Sequence, residues 1–108
     1  MSKESILQAR VIRDLRGRGV FVFIYSPPTY SGAPPMPDVY ATAGGVGSFW
    51  LETKRAANIK AKDAQVVIIN RLRRAGTPAY VIKTWEQYVQ VINIILTGKA
   101  DLTPNVRP

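Results

Sequence analysis

Apolar residues recur along the first third of the chain at two different spacings. In residues 3–17 they recur every three or four positions, which predicts a helix that ends at Gly17 or Gly19. Residues 20–25, VFVFIY, form a continuous apolar run that is typical of a central strand covered on both sides. Residues 26–37 contain five prolines and a glycine, so we expect this segment to form a loop.

The rest of the chain predicts a hairpin, two helices and a further strand. Residues 39–43 and 48–53 are rich in β-branched and aromatic side chains, and a glycine-rich reversal joins them. Residues 63–75 and 84–97 have helical spacing, and residues 79–83 form a strand between them. The resulting order α-β-β-β-α-β-α predicts an α/β fold in which helices flank a mixed sheet, with a right-handed crossover into the last strand.

The hairpin brings three charged residues together. If the reversal is centred near Gly45, Asp38 lies opposite Glu52 on one face, with the two β-carbons roughly 5 Å apart. A register shift of one residue would move the two acids to opposite faces. Lys54 is two residues beyond Glu52, so the alternation of a strand returns it to the same face. The pairing therefore predicts a cluster of two carboxylates and an amine.

Two ionised carboxylates this close repel each other unless a proton or a cation lies between them. A hard divalent ion such as Mg²⁺ or Mn²⁺ prefers such oxygen ligands, and it can activate water and neutralise charge on a phosphate oxygen. The alternative is a hairpin with ordinary exposed charges, in which Asp38 is a turn residue and Glu52 forms a surface ion pair with Lys54. The three residues alone leave both interpretations open.

Polar residues also lie on helix faces that are otherwise apolar. Glu4 and Gln8 share the inward stripe of the first helix, and Glu4 is a candidate to reach the acidic cluster. Its alternative role is that of a first-turn acid that complements the helix dipole. Gln65 lies on the inward face of the helix at residues 63–75, where burying its amide without a partner would cost about 1–3 kcal/mol. We therefore expect Gln65 to have a partner.

Length and composition narrow the class of protein. The 108 residues suffice for one domain, which we expect to span residues 1–98, followed by a weakly ordered polar tail at residues 99–108. The sequence contains no cysteine and no histidine, which excludes disulfides, thiol nucleophiles, Cys- or His-ligated metals and a histidine general base. It has no signal-peptide pattern and no apolar run long enough to span a bilayer, which favours a cytoplasmic protein without a membrane partner.

Basic residues dominate the charge. Fifteen Lys and Arg against seven Asp and Glu give a net charge of +8. Nucleic acid is the leading partner class, although an acidic protein or an anionic membrane also carries the opposite charge. The candidate nucleic-acid contacts are basic side chains and one tyrosine that can stack on a base: Arg10, Arg13, Arg55, Lys60, Lys62 and Tyr30. The alternatives are solvated charges and a tyrosine packed over its own loop.

The order of these motifs resembles the PD-(D/E)xK nucleases, and among them the stand-alone virus-type replication-repair nuclease (VRR-NUC) domains. The resemblance runs from the first helix through Pro37-Asp38, Glu52-Thr53-Lys54 and Gln65 to the segment AGTPAYVIKTWEQYVQVI. It implies a restriction-endonuclease-like core and a phosphodiesterase that depends on Mg²⁺, for which Mn²⁺ can substitute.

The resemblance also implies roles for the residues of the cluster. Asp38 and Glu52 would be metal ligands, together with the backbone carbonyl of Thr53. Lys54 would act on the attacking water and on the transition state. These roles are those of family members at the matching motif positions.

Two further roles and a substrate class follow from the same resemblance. Glu4 would be the acid that family members often carry on the first helix, and Gln65 would be the polar residue that the following helix directs at the site. Compact stand-alone members, from phages and bacteria, look like structure-selective DNA endonucleases, and several are dimers that cut four-way (Holliday) junctions during DNA repair.

Several alternatives fit the same sequence features. A flap, nicking or single-strand nuclease would have the same cluster, and a non-catalytic nucleic-acid-binding module would have the same fold. A basic structural protein of a ribonucleoprotein particle would leave the convergence of Asp38, Glu52 and Lys54 unexplained. The wide apolar stripe of the last helix adds a helix-mediated homodimer to the expectations.

Overall fold

The computed structural model describes residues 3–26, 32, 34–54 and 60–108, with the backbone alone for residues 3–5. The elements of this part of the chain follow the predicted order: α1 (Lys3–Gly17), β1 (Phe21–Ile24), β2 (Val39–Ala43), β3 (Gly47–Thr53), α2 (Asp63–Arg74), β4 (Ala79–Ile82) and α3 (Trp85–Leu96). The predicted mixed α/β architecture is therefore confirmed. No helix in these ranges is both long enough and apolar enough to cross a membrane.

The strands form one mixed sheet in the order β1-β2-β3-β4. β2 is antiparallel to both β1 and β3, whereas β4 runs parallel to β3, so α2 belongs to a crossover as predicted. Val39 pairs with Leu51, which continues the ladder to Asp38 opposite Glu52 and confirms the predicted register. Gly45 has a φ of +82°, a conformation that side chains with a β-carbon rarely adopt, and this explains the glycine in the turn.

The two faces of the sheet are covered differently. α1 and α3 pack against one face, and alternate strand residues point into this core, including Ala41, Phe49 and Leu51. α2 packs against β4, and its buried Val66 and Ile69 lie outside that core cluster. Among the described residues, no helix contributes to a core cluster on the outer face of β1, β2 and β3.

The position of β1 differs from the prediction of a central strand covered on both sides. β1 lies at the edge of the described sheet, and Phe21 and Phe23 are 63% and 41% exposed, whereas Val22 between them faces the core. The prediction was wrong because an apolar run shows only that both faces avoid charge. Here the outer face carries aromatic rings that pack against one another, beginning with Phe23 and Tyr40 at 5.1 Å between ring centroids.

The apolar stripe of α3 is taken up by the chain itself. Tyr88, Ile92 and Ile95 are buried in the core, and Trp85 and Val89 pack against it. This packing covers much of the stripe whose width led us to expect a helix-mediated homodimer, and the dimer itself stays a prediction.

The C-terminal tail makes specific contacts, in contrast to the weak order expected from its polar sequence. The Asn70 side chain accepts a hydrogen bond from the Val106 N–H at 2.8 Å and donates one to the Val106 carbonyl at 3.1 Å. Arg73 donates to the Thr103 carbonyl at 3.0 Å. Polar side chains of α2 thus satisfy backbone groups of the tail, which a composition-based prediction does not detect.

Candidate active site

The two acids of the hairpin meet where β2 begins and β3 ends. Asp38 directly precedes β2, and Glu52 is the penultimate residue of β3. The backbone N–H of Asp38 donates to Oε1 of Glu52 at 3.0 Å. The pairing register inferred from the glycine turn therefore brings the two acids together.

The Asp38 carboxylate is held from two sides. Thr53 donates its backbone N–H to Oδ1 at 2.9 Å and its hydroxyl to Oδ2 at 2.6 Å. Gln8 of α1 donates its Nε2–H to Oδ2 at 2.8 Å. Sequence reasoning assigned Thr53 only a carbonyl and gave Gln8 no role, although its place on the inward face of the helix was the available signal.

Glu52 and Lys54 form a buried ion pair. Lys54 Nζ lies 2.8 Å from Oε2 of Glu52, and the two residues are 9% and 2% exposed. Lys54 also donates to Oε1 of Gln65 at 3.3 Å, which is the partner that the inward-facing glutamine required. The pair is thus not the exposed one that the alternative interpretation of the hairpin assumed.

The electrostatics of the cluster favour a further positive charge. Burial raises the pKa of the Glu52 carboxyl, and the neighbouring Asp38 charge raises it further. The hydrogen bond and charge of Lys54 act in the opposite direction but do not cancel the increase. A cation at the cluster would stabilise both carboxylates in their ionised form.

The donor set fits a hard divalent ion. A carboxylate can accept about four hydrogen bonds, and the described contacts use three on Asp38 and two on Glu52. Each acid therefore keeps acceptor capacity for a metal. Mg²⁺ often takes only one or two protein carboxylates and completes its shell with water and phosphate oxygens. Within the described ranges no group of three or more Asp, Glu, His or Cys residues could hold a metal, so an ion here would rely on the two carboxylates together with backbone carbonyls and water.

The other predicted residues divide into two groups. The Glu4 side chain, Tyr30 and Arg55 lie outside the described residues. The remaining candidates for nucleic-acid contact are all exposed: Arg10, Arg13, Lys60 and Lys62. Arg10 also contacts the protein, since its guanidinium lies 3.8 Å from the centre of the Trp85 ring.

Comparison with known proteins identifies the fold. Neither a protein-family model nor a curated protein matches the sequence. A solved structure described as a VRR_NUC domain matches with a TM-score of 0.72 and 26% sequence identity, covering 86% of this chain and 97% of that one. Because nearly all of that domain is covered, the similarity extends over the complete restriction-endonuclease-like fold. This match in fold and sequence confirms the predicted resemblance of the chain to VRR-NUC domains.

Proposed function

We propose that this chain is a metal-dependent DNA endonuclease that hydrolyses phosphodiester bonds at the cluster of Asp38, Glu52 and Lys54. The observation that carries the proposal is the close approach of these groups in a nuclease fold. The Asp38 N–H bonds Glu52 at 3.0 Å, and the buried Lys54 amine lies 2.8 Å from the same carboxylate. Burying charges is costly, so a hairpin whose charges had only a structural role would leave them exposed to water.

Asp38 and Glu52 would hold Mg²⁺ or Mn²⁺, with the Thr53 carbonyl as a further oxygen ligand. When bound, the ion would polarise a phosphate oxygen and lower the pKa of a bound water. Thr53 and Gln8 fix the Asp38 carboxylate before any ligand arrives, so the site needs little reorganisation to accept a cation.

Lys54 would supply the positive charge that faces the reacting phosphate. Its amine can orient the attacking water or stabilise negative charge that develops on the phosphate oxygens. Gln65 accepts a hydrogen bond from this amine and so restricts its position. Glu4 on α1 is proposed as the additional acid of the site.

Basic residues outside the cluster would hold the DNA. Arg10, Arg13, Lys60 and Lys62 are exposed on a chain with a net charge of +8, and we include Arg55 and Tyr30 as contacts. Contacts to phosphates position a duplex without reading its bases, so sequence specificity should be slight. We propose branched DNA, above all the four-way junction, as the preferred substrate and residues 1–98 as the nuclease domain.

A homodimer would suit a four-way junction, since a two-fold pair presents two sites to two strands. We place the interface on the aromatic face, defined as Phe21, Phe23, Tyr25, Tyr40 and Trp50. Neighbouring rings on this face have centroids 4.9–6.0 Å apart. None of these side chains is charged, so two copies of a strongly basic chain can meet here without like-charge contact.

The test is cleavage of labelled four-way junction, flap, nicked and linear duplex DNA with Mg²⁺, Mn²⁺ or EDTA. The proposal predicts cutting in either metal, none in EDTA, and the fastest rate on the junction. Preference for the flap or nicked substrate would select the alternative nuclease. Tight binding without cleavage in either metal would show a non-catalytic binding module instead.

A further inference from the structure

A basic site outside the catalytic cluster lies between the later part of α1 and the first turn of α3. A groove of about 530 Å³ separates these elements. Its lining consists of Arg10, Arg13, Asp14, Gly17, Arg18 and Trp85. Three guanidinium groups against one carboxylate leave an excess of positive charge, which favours an anionic ligand.

Two of the guanidinium groups are held in place by the protein. The Arg10 group lies 3.8 Å from the centre of the Trp85 ring, a contact that restrains the group through its flat face. Arg18 donates its Nε–H to Oδ2 of Asp14 at 2.8 Å. Guanidinium groups that are already restrained lose less freedom when they bind a ligand.

The carboxylate in the groove is engaged by the protein itself. Asp14 accepts the Tyr88 hydroxyl at 2.6 Å as well as the Arg18 bond. Burial raises the pKa of Asp14, but the hydrogen bonds from Tyr88 and Arg18 and the arginine charges outweigh it and lower the pKa below its usual value. Asp14 is therefore ionised at neutral pH and orients Arg18.

The groove lies on a different side of α1 from the catalytic cluster. Gln8 contacts Asp38, whereas Arg10 is two residues further along the helix. Two residues correspond to a rotation of about 200° around a helix roughly 10 Å across. A ligand in the groove therefore does not compete with a phosphate at Asp38, and one substrate that reaches both must bend or branch around α1.

We propose that the groove between α1 and α3 binds backbone phosphates of a nucleic-acid arm that flanks the cleaved bond. Guanidinium groups recognise phosphate oxygens through paired N–H donors, and their geometry matches phosphate better than that of lysine. The inference rests on the proposed function in so far as the substrate is nucleic acid. It adds that Arg10 and Arg13 act together with Arg18 as one phosphate site in this groove.

The test is the salt dependence of four-way-junction binding in EDTA, followed by fluorescence anisotropy. The double variant Arg10→Ala/Arg13→Ala is compared with Arg71→Ala/Arg74→Ala, which removes the same charge from exposed positions on α2. The slope of log K against log salt is negative, and each lost phosphate contact reduces its magnitude by about 0.9. The groove variant should therefore have a slope whose magnitude is roughly 1.8 smaller than that of the wild type. The α2 variant should keep the wild-type slope.

Equal slopes for the two double variants would overturn the inference, because they would show only an effect of net charge. If the groove variant unfolds, Arg13→Ala alone decides, since Arg13 is exposed and should lower the slope by about 0.9. If the wild type cleaves DNA but the groove variants keep the wild-type slope, the groove does not bind the DNA arm and the proposed nuclease activity stands. Absence of DNA binding by the wild type would overturn both the inference and the proposed function.

An acidic peptide offers a further comparison. If it binds the wild type but not the groove variant, and the two bind DNA equally well, the groove belongs to a protein partner and the inference is overturned.

Discussion

Glu52 and Lys54 are both almost excluded from water, at 2% and 9% exposure. A buried ion pair contributes little net stability, because desolvation offsets most of the attraction between the charges. Removing one partner is different, since the remaining charge stays buried without compensation. The pair therefore makes this end of the hairpin sensitive to single substitutions.

Lys54→Met should destabilise the protein in EDTA by about 3 kcal/mol, because Glu52 loses its buried cation. Urea denaturation measures the difference. Lys62→Met is the matched control, as Lys62 is exposed and should change stability by less than about 0.5 kcal/mol. A Lys54 variant as stable as the wild type would show that the pair is not buried in solution.

Gln8→Leu should weaken activation by Mg²⁺ by about 10-fold, because Asp38 loses the donor that α1 supplies to its carboxylate. The readout is the Mg²⁺ concentration that gives half-maximal cleavage. Gln90→Leu, an exposed glutamine on α3, serves as control and should leave this concentration unchanged. If Gln8→Leu matches the control, then Gln8 does not position Asp38.

At the scale of elements, a polar link joins α1 to α3 within an apolar interface. The Tyr88 hydroxyl is buried, and it donates to Asp14 at 2.6 Å. Burial raises the pKa of the Tyr88 hydroxyl, and the Asp14 bond raises it further, so the phenol stays protonated and keeps donating. The link therefore depends on Asp14 remaining ionised.

Asp14→Asn should lower stability at neutral pH, and the difference from the wild type should shrink in acid. The pKa of folded Asp14 lies below the unfolded value of 3.8, so its contribution is fully present above that pH and is lost as the pH falls through the folded pKa. Melting temperatures at pH 7, 5, 4 and 3 measure this. A difference that stays constant across the series would contradict the lowered pKa.

The elements also show what the sequence can and cannot predict. The register that pairs Asp38 with Glu52 was predictable because it depends on local features, the turn at Gly45 and strand alternation. The edge position of β1 was not, because it depends on which distant strands pair.

Arg73 lies in the last turn of α2, where a cation suits the helix dipole, yet it is buried and donates to the Ala79 carbonyl at 2.9 Å. Its hydrogen-bond acceptors are carbonyls of Ala79 and Thr103, which lie outside α2 and so cannot be found from the pattern of the helix.

The candidate site divides in the same way. The motif around Asp38, Glu52 and Lys54 could be found because the residues are close in sequence and share one hairpin. The contact from Gln8 spans thirty positions and needs the packing of α1 to be known. Gln65 lay between these cases, since its inward position required a partner but did not identify Lys54.

At the scale of the whole molecule, the aromatic face is an exposed apolar surface of the described residues, and we place the dimer interface on it. Phe21→Ser should convert the proposed dimer to a monomer, because it replaces the most exposed aromatic ring of the proposed interface with a polar group. Light scattering coupled to size-exclusion chromatography measures the mass. Val67→Ser on α2, an exposed apolar residue outside this face, should leave the dimer intact.

A wild type that is monomeric at micromolar concentration would contradict the proposed dimer. Loss of DNA binding by Phe21→Ser without a change in mass would instead indicate that the aromatic face stacks on unpaired bases.

The central claim is that Asp38 helps to hold the metal that cleavage requires. The most direct measurement is the rate of four-way-junction cleavage as a function of Mg²⁺ for the wild type, Asp38→Asn and the exposed-acid control Asp63→Asn. We predict cleavage by the wild type and the control, and a loss of at least about 100-fold in Asp38→Asn with junction binding retained. Cleavage by Asp38→Asn at the wild-type rate, or wild-type cleavage that persists in EDTA, would contradict the account.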